Sequence, residues 1–538
     1  MSHIHAVVLA TLLAGSASDD PVQPWRARID ALASALRGEA SLDPLLAQGT
    51  QLPALRASSD GERRVGGVAV RTSLGADAPL DGAAAFSRLL APFESTPRIE
   101  LKLVGLAPDD SGHATRVLYH AFGREPDGLL QQNGEWTLSW DTHEPPRIRA
   151  AEVHRAEELR AEEPALYDAT AAVLADDAAT RAQLQRGAEH WFGALDNPSG
   201  HPFHGHQGMA LGDVDGDGST DVYAALGPGL PNKLLVCQPD GTARDRALEA
   251  GVAWLDDSKG ALLIDADNDG DQDLVLAMGA RILVSANGGD ASFTPRHVLR
   301  AGREAPFYSL AAADYDLDGD LDVYATRYVD TLARGLVPSP LHDANNGPPN
   351  HLLRNEGGAG FADVTRAVGL DENNTRFSLA ASWCDYDRDG DSDLYVANDF
   401  GRNNLYRNDA ASFVDVAASA GVEDQAAGMG VSWADVDLDG DHDLLVSNMF
   451  SSAGLLRTGE QRFAVQEPEL SAELRRHAVG NSLFVNRGDG TFVDAGDAAG
   501  IRMGRWAWGA LLRDLNGDGW SDALVPNGFL TGAKPDDL

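Results

Sequence analysis

Residues 385–393 read D-Y-D-R-D-G-D-S-D, five aspartates on alternate positions interrupted by one glycine. Left without a counter-charge, five carboxylates this close repel one another and resist compaction. Side chains at the first, third and fifth positions of such a loop converge on one point, and Gly390 at the sixth permits the sharp turn. Apolar ASWC (381–384) precedes the loop and LYVAN (394–398) follows it, so the local unit reads strand, loop, strand.

Five sister loops share this pattern: DVDGDGSTD from Asp213, DADNDGDQD from Asp265, DYDLDGDLD from Asp314, DVDLDGDHD from Asp435 and DLNGDGWSD from Asp514. Successive starts lie 52, 49, 71, 50 and 79 residues apart. A unit of about 50 residues marks a propeller, solenoid or array in which each unit buries its face on the next. Downstream hairpins recur as well, in PNHLLRNEGGAGFADV (349–364), NNLYRNDAASFVDV (403–416) and GNSLFVNRGDGTFVDA (480–495). Four short strands per unit predict a mainly β chain built as a β-propeller, with six carboxylate loops visible. The two long intervals carry insertions, VPSPLHDANNGPPN (337–350) and EPELSAELRRHAVG (467–480), the second reading as a short helix.

Hard oxygen ligands in variable number are what Ca2+ takes, and neither thiolate nor imidazole recurs in the loops, which argues against Zn2+ or copper. The candidate ligands stand at positions 1, 3, 5, 7 and 9. They are Asp213, Asp215, Asp217, Ser219 and Asp221 in the first loop, and Asp265, Asp267, Asp269, Asp271 and Asp273 in the second. The third has Asp314, Asp316, Asp318, Asp320 and Asp322, and the fourth Asp385, Asp387, Asp389, Asp391 and Asp393. The fifth has Asp435, Asp437, Asp439, Asp441 and Asp443; the sixth, the weakest, has Asp514, Asn516, Asp518, Trp520 and Asp522. Position 7 would contribute its backbone carbonyl. An EF-hand closes on a bidentate Glu at position 12, but here that position is Ala224, Leu276, Ala325, Val396, Val446 and Val525. The loops therefore read as β-hairpin calcium loops in which the ninth aspartate replaces that Glu. Up to six Ca2+ would move the formal charge from −39 to −27.

The net charge of −39 disfavours nucleic acid and anionic membranes and favours cations. No segment is apolar over the ~18 residues that an integral membrane span requires. Residues 1–18 read as a secretory signal peptide, with an apolar run from Ala6 to Ala14, and predict a secreted or periplasmic protein. Two cysteines, Cys237 and Cys384, supply no disulfide framework.

Residues 25–195 have a different grammar. WRARIDALASALR and DGAAAFSRLLAPF carry helical spacing, alternating runs follow at 98–106, 114–122, 135–140 and 147–154, and the alanine-rich stretch 157–191 reads as one or two helices. Helices followed by a strand meander predict a small α+β domain, with an architectural likeness to cone-shaped NTF2-like domains. The propeller would occupy 200–538.

The loops and the N-x-L-(Y/F)-x-N-x-G-D-G-T-F hairpins resemble FG-GAP/VCBS repeats, the units of integrin-α-type calcium propellers. GHQGMALGDVDGDGSTDVYAALGPGLPNKLL (205–235) and the terminal PNGFLTGAKPDDL are similar to the CRTAC/ASPIC–UnbV-like group. The resemblance implies a calcium-binding β-propeller with seven blades favoured although six loops are visible, and a scaffold rather than one activity.

Arg487-Gly488-Asp489 spells an adhesion tripeptide but falls where the hairpin needs a Gly/Asp turn. His201, His204 and His206 form the densest histidine cluster, with His190 upstream, and read as part of the linker and entry strand. Trp383, Trp433, Trp506 and Trp508 read as packing between units. GxSxG, HExxH, Walker A and dinucleotide fingerprints are absent, and no catalytic residue is assigned. The expected function is an exported, calcium-stabilised binding or adhesion module for an extracellular or periplasmic protein or glycan. The alternative is a hydrolase or lyase with its pocket at the interdomain seam.

Overall fold

The computed structural model describes residues 22–528 apart from 59–61, 66–67, 73–77, 110–111, 165, 188–189, 192–193, 195–207, 301–304, 330–336, 341–342 and 459–467. The signal-like residues 1–18 and His201, His204 and His206 lie outside the described residues.

In the helix Gln23–Leu36, Trp25, Ile29, Leu32 and Leu36 fall on one face and are buried. A second helix, Gly82–Leu90, is capped by Asp81, whose side chain accepts from the Ala83 N–H at 3.1 Å. Both cover a six-stranded antiparallel sheet ordered Arg63–Val65, Val68–Arg71, Ile148–Ala161, Gly128–Trp140, Gly112–Glu125, Arg98–Asp109. Period-two alternation places Leu130, Trp136, Leu138 and Trp140 on the buried face of its central strand. The sequence reading errs at 157–161, expected as helix: these residues end the strand Ile148–Ala161. Glu158 there is fully buried, held by Arg56 at 2.7 Å and Arg160 at 2.8 Å, and tertiary pairing overrides helix propensity. Within the alanine-rich stretch, Thr170–Val173 and Ala178–Leu184 are helices.

From Met209 onward, five four-stranded antiparallel meanders follow one another: 209–245, 258–300, 307–363, 377–415 and 428–494. A two-stranded sheet, Leu511–Arg513 with Asp522–Leu524, comes last. In each unit the carboxylate loop joins the first strand to the second. Each first strand packs against the first strand of the next sheet, in chain order. Second strands such as Asp273–Met278 and Asp443–Asn448 are buried along their whole length, because a neighbouring sheet covers each face, and after the leading aspartate the runs Leu274–Met278 and Leu444–Val446 are continuously apolar instead of alternating.

The insertion before the fifth sheet's third strand joins the two parts. Helix Ser452–Thr458 delivers Leu456 into the core of the N-terminal sheet, and helix Pro468–Arg476 packs beside it. Arg505 pairs with Glu100 across the same junction. No helix among the described residues is long and apolar enough to cross a membrane.

Candidate metal centres

Three carboxylates in each of five loops offer oxygens within 4.8 Å of one another. The groups are Asp213, Asp215 and Asp221; Asp314, Asp316 and Asp322; Asp385, Asp387 and Asp393; and Asp435, Asp437 and Asp443. In the second loop they are Asp265, Asp267 and Asp269. Positions 1 and 3 thus meet in all five, joined by position 9 in four and by position 5 in one.

Backbone donors fix these carboxylates. In the fourth loop Asp385 accepts from Asp389 N–H and Gly390 N–H, both at 3.1 Å, and Asp389 accepts from Asp391 N–H at 3.0 Å. Asp393 accepts from Tyr386 N–H at 3.1 Å and from Asn408 N–H at 2.8 Å. The fourth residue of the loop takes a left-handed conformation, Arg388 at φ 62°, as do Asn268, Leu317 and Leu438 in three sister loops. Gly390 follows at φ 97°.

The third position is left over. Asp215 Oδ1, Asp316 Oδ1 and Asp387 Oδ1 are buried with no hydrogen-bond partner. Burial and then neighbouring carboxylates push up the third-position acids Asp267, Asp316, Asp387 and Asp437. Ninth-position Asp322 and Asp393 are pushed up to about 7, chiefly by burial, with Asp221, Asp273 and Asp443 raised in the same sense. Converging acids, several of them held above the usual carboxylate range, an orphaned buried oxygen and an all-oxygen donor set fit a hard dication.

Seventh-position side chains turn elsewhere. Asp320 accepts from Asn268 Nδ2 at 2.6 Å, Asp391 from Ala410 N–H at 2.9 Å, and Asp441 pairs with Arg388. Fifth-position Asp217, Asp269, Asp318, Asp389 and Asp439 each accept from the backbone N–H two residues on, and Asp269 alone of these also joins a carboxylate group. The sixth loop differs. Asp514, Asn516, Asp518 and Asp522 form no three-acid group among the described residues, and hydrogen bonds from Gly519 and its neighbours lower the Asp514 carboxyl. Trp520 is exposed there.

At the opposite strand ends, charge is consumed in seating the inserted helix. Arg402 pairs with Glu423 at 2.7 Å, Glu473 at 3.3 Å and Asp343 at 3.4 Å, while Arg476 pairs with buried Asp424 at 2.9 Å. His477 stacks on Phe400, and its Nδ1 lies 3.1 Å from the Gln425 carbonyl. In the Arg487-Gly488-Asp489 turn, Asp489 accepts from both Thr491 N–H and Thr491 Oγ1, so its carboxylate holds the hairpin. Trp383 and Trp433 lie against Tyr324 and Phe492, Trp506 is buried, and both cysteines are free, with burial pushing the Cys384 thiol up to about 12.

Sequence reasoning missed the last residue of the third strand in the second to fifth sheets. Asn287, Asn355, Asn408 and Asn486 are buried and donate to the carboxylate loops. Aligning the hairpins on SAN, LRN, YRN and FVN exposes that recurrence.

No curated protein matches the chain. Among solved structures, a lectin of Agrocybe aegerita described as recognising non-reducing terminal N-acetylglucosamine is 17% identical, over 60% of this chain and 74% of its own, with a TM-score of 0.35. A mutant of AofleA from Arthrobotrys oligospora is 10% identical, over 68% of this chain and 85% of its own, with a TM-score of 0.26. At these values neither likeness carries an argument. The family model for an FG-GAP-like repeat matches residues 265–325, 385–446 and 473–525, and the chain therefore carries three FG-GAP-like repeats.

Proposed function

We propose that the chain is an exported, calcium-stabilised β-propeller of the CRTAC/ASPIC–UnbV-like group, serving as a binding or adhesion module for an extracellular protein or glycan. The observation that carries the calcium reading is the convergence of three carboxylates in each of five successive loops, three of them with a buried unpartnered oxygen. Positions 1, 3 and 9 would hold the ion in four loops, and in the second loop Asp269 takes the place of the ninth-position acid. Bound calcium neutralises acids that otherwise repel, and so ties the first strand of each sheet to the second. This makes the loops staples and leaves ligand recognition to other surfaces. Ring closure by a further blade is supported by the terminal sheets. Met209 and Leu211 on the first, and Leu511 and Leu524 on the last, expose apolar side chains, whereas inner sheets cover both faces.

The test is an array of glycans and extracellular-matrix proteins probed with the full chain in calcium and in excess EGTA. Saturable binding that weakens in EGTA is expected. Binding indifferent to chelation, or none on either class of target, contradicts the proposal.

A further inference from the structure

The carboxylate loops are connected to one another by a repeated hydrogen-bond path through the buried asparagines. In the fourth sheet, Asn408 N–H donates to Asp393 Oδ1 at 2.8 Å, while its Nδ2 donates to the Tyr315 carbonyl at 2.8 Å and to the Ser392 carbonyl at 3.2 Å. Tyr315 belongs to the preceding loop, and its own N–H donates to Asp322 Oδ2 at 3.4 Å. Two ninth-position carboxylates in adjacent sheets are therefore joined by three hydrogen bonds, through one residue of loop backbone and one asparagine.

The path repeats. Asn355 links the Ala266 carbonyl to Asp322, with 2.8 Å to each, and Asn486 links the Tyr386 carbonyl at 3.0 Å to Asp443 at 2.8 Å. Asn287 links the Val214 carbonyl to Asp273, again at 2.8 Å each. Within each loop, the second residue's N–H closes onto the ninth aspartate, as Val214 does onto Asp221, Ala266 onto Asp273 and Tyr386 onto Asp393. The relay runs unbroken from Asp221 to Asp443. The first sheet has Cys237 where the others have asparagine, and no described loop precedes that sheet; Cys237 N–H still donates to Asp221. Among the described residues, the amide is present in every four-stranded sheet that has a preceding loop to hold.

We infer that these asparagines are positioning residues that couple neighbouring cation sites, so that the sites fill cooperatively around the array. The inference rests on the calcium reading above. A ninth-position carboxylate drawn onto an ion fixes the second residue of its loop. That residue's carbonyl sets the next asparagine, whose N–H orients the next carboxylate, and the second ion meets a site already ordered. Two junctions have an additional surface tie, Asn268 to Asp320 and Arg388 to Asp441. At the third-to-fourth junction the corresponding side chain is exposed Leu317, which leaves Asn408 to carry that coupling.

Calorimetric titration of the chelator-stripped full chain with Ca2+ tests this. The wild type is expected to bind cooperatively, each ion raising its neighbour's affinity about fivefold or more. Asn408→Ala is expected to keep the number of ions bound while the isotherm loses its cooperativity, which a purely structural role would not produce. Asp316→Asn empties the third site without touching a relay atom, and is expected to weaken binding at its neighbours by a similar factor. Asn486→Ala reads the next junction should Asn408→Ala fail to fold. A wild-type isotherm described by independent sites, or one unchanged by Asn408→Ala, overturns the coupling alone. A wild type that binds no calcium overturns the calcium reading and the coupling with it.

Discussion

Replacing Asp393 by Asn should change stability in opposite directions with and without calcium. Burial raises this carboxyl from 3.8 to about 7, so above neutral pH the ion-free protein carries an ionised group at a cost of about 4 kcal/mol. Asn removes that charge. It also keeps only one acceptor oxygen for two buried donors, Tyr386 N–H and Asn408 N–H, and leaving one unmatched costs about 1–3 kcal/mol. In excess EGTA at pH 8, Asp393→Asn should therefore be more stable than the wild type by roughly 1–3 kcal/mol, the difference between those terms. In calcium the wild type gains a ligand that the variant lacks, worth about 4.1 kcal/mol at a thousandfold excess over Kd, which exceeds that difference and reverses the order. Thermal melts of both proteins in EGTA and in calcium read the four states. A variant equally destabilised in both buffers refutes the reasoning, because Asp393 would then be a purely structural acceptor.

The pH dependence of the ion-free protein follows from the same groups. Asp322 and Asp393 have folded values near 7, above the ordinary carboxylate value, so the folded state binds more protons between about pH 4 and 7. Their contribution is full at low pH and is lost as pH rises through 7; the melting temperature in EGTA should fall from pH 5 to 8, and calcium should flatten that slope. Leu456→Ala removes a side chain from the N-terminal core and should cost about 2–5 kcal/mol in denaturant melts, with faster proteolysis between the two parts. Glu158→Ala strands Arg56 and Arg160 against a buried site and should cost about 3–5 kcal/mol, a loss that an unchanged melt would contradict. Leu317→Gly relieves a left-handed leucine at φ 57° in an exposed turn, and should raise stability by up to about 1 kcal/mol in the same melts.

The repeat was legible because its chemistry is local. Aspartates on alternate positions flanked by short apolar runs specify strand, loop and strand, and the loops at Asp213, Asp265, Asp314, Asp385 and Asp435 bring their acids together. What the sequence hid was pairing at a distance. Glu158 reads as a helix former until Arg56, about a hundred residues earlier, holds it on a strand. Leu456 lies in an insertion of the fifth sheet yet packs into the N-terminal core, a contact no periodicity announces. The ninth aspartates read in the sequence as ligands alone, but in the first five loops each also accepts two backbone N–H groups, one from a hairpin that follows 14 to 43 residues later in the second to fifth sheets. The asparagines were visible as letters in the hairpins, and their bonds to the preceding loop were not.

Native mass spectrometry of the full chain, desalted from a calcium-containing buffer, tests the central claim most directly. The account predicts a chain mass increased by five calcium ions, one for each carboxylate cluster, reverting to the bare mass after EGTA. A bare chain in the presence of calcium would contradict it.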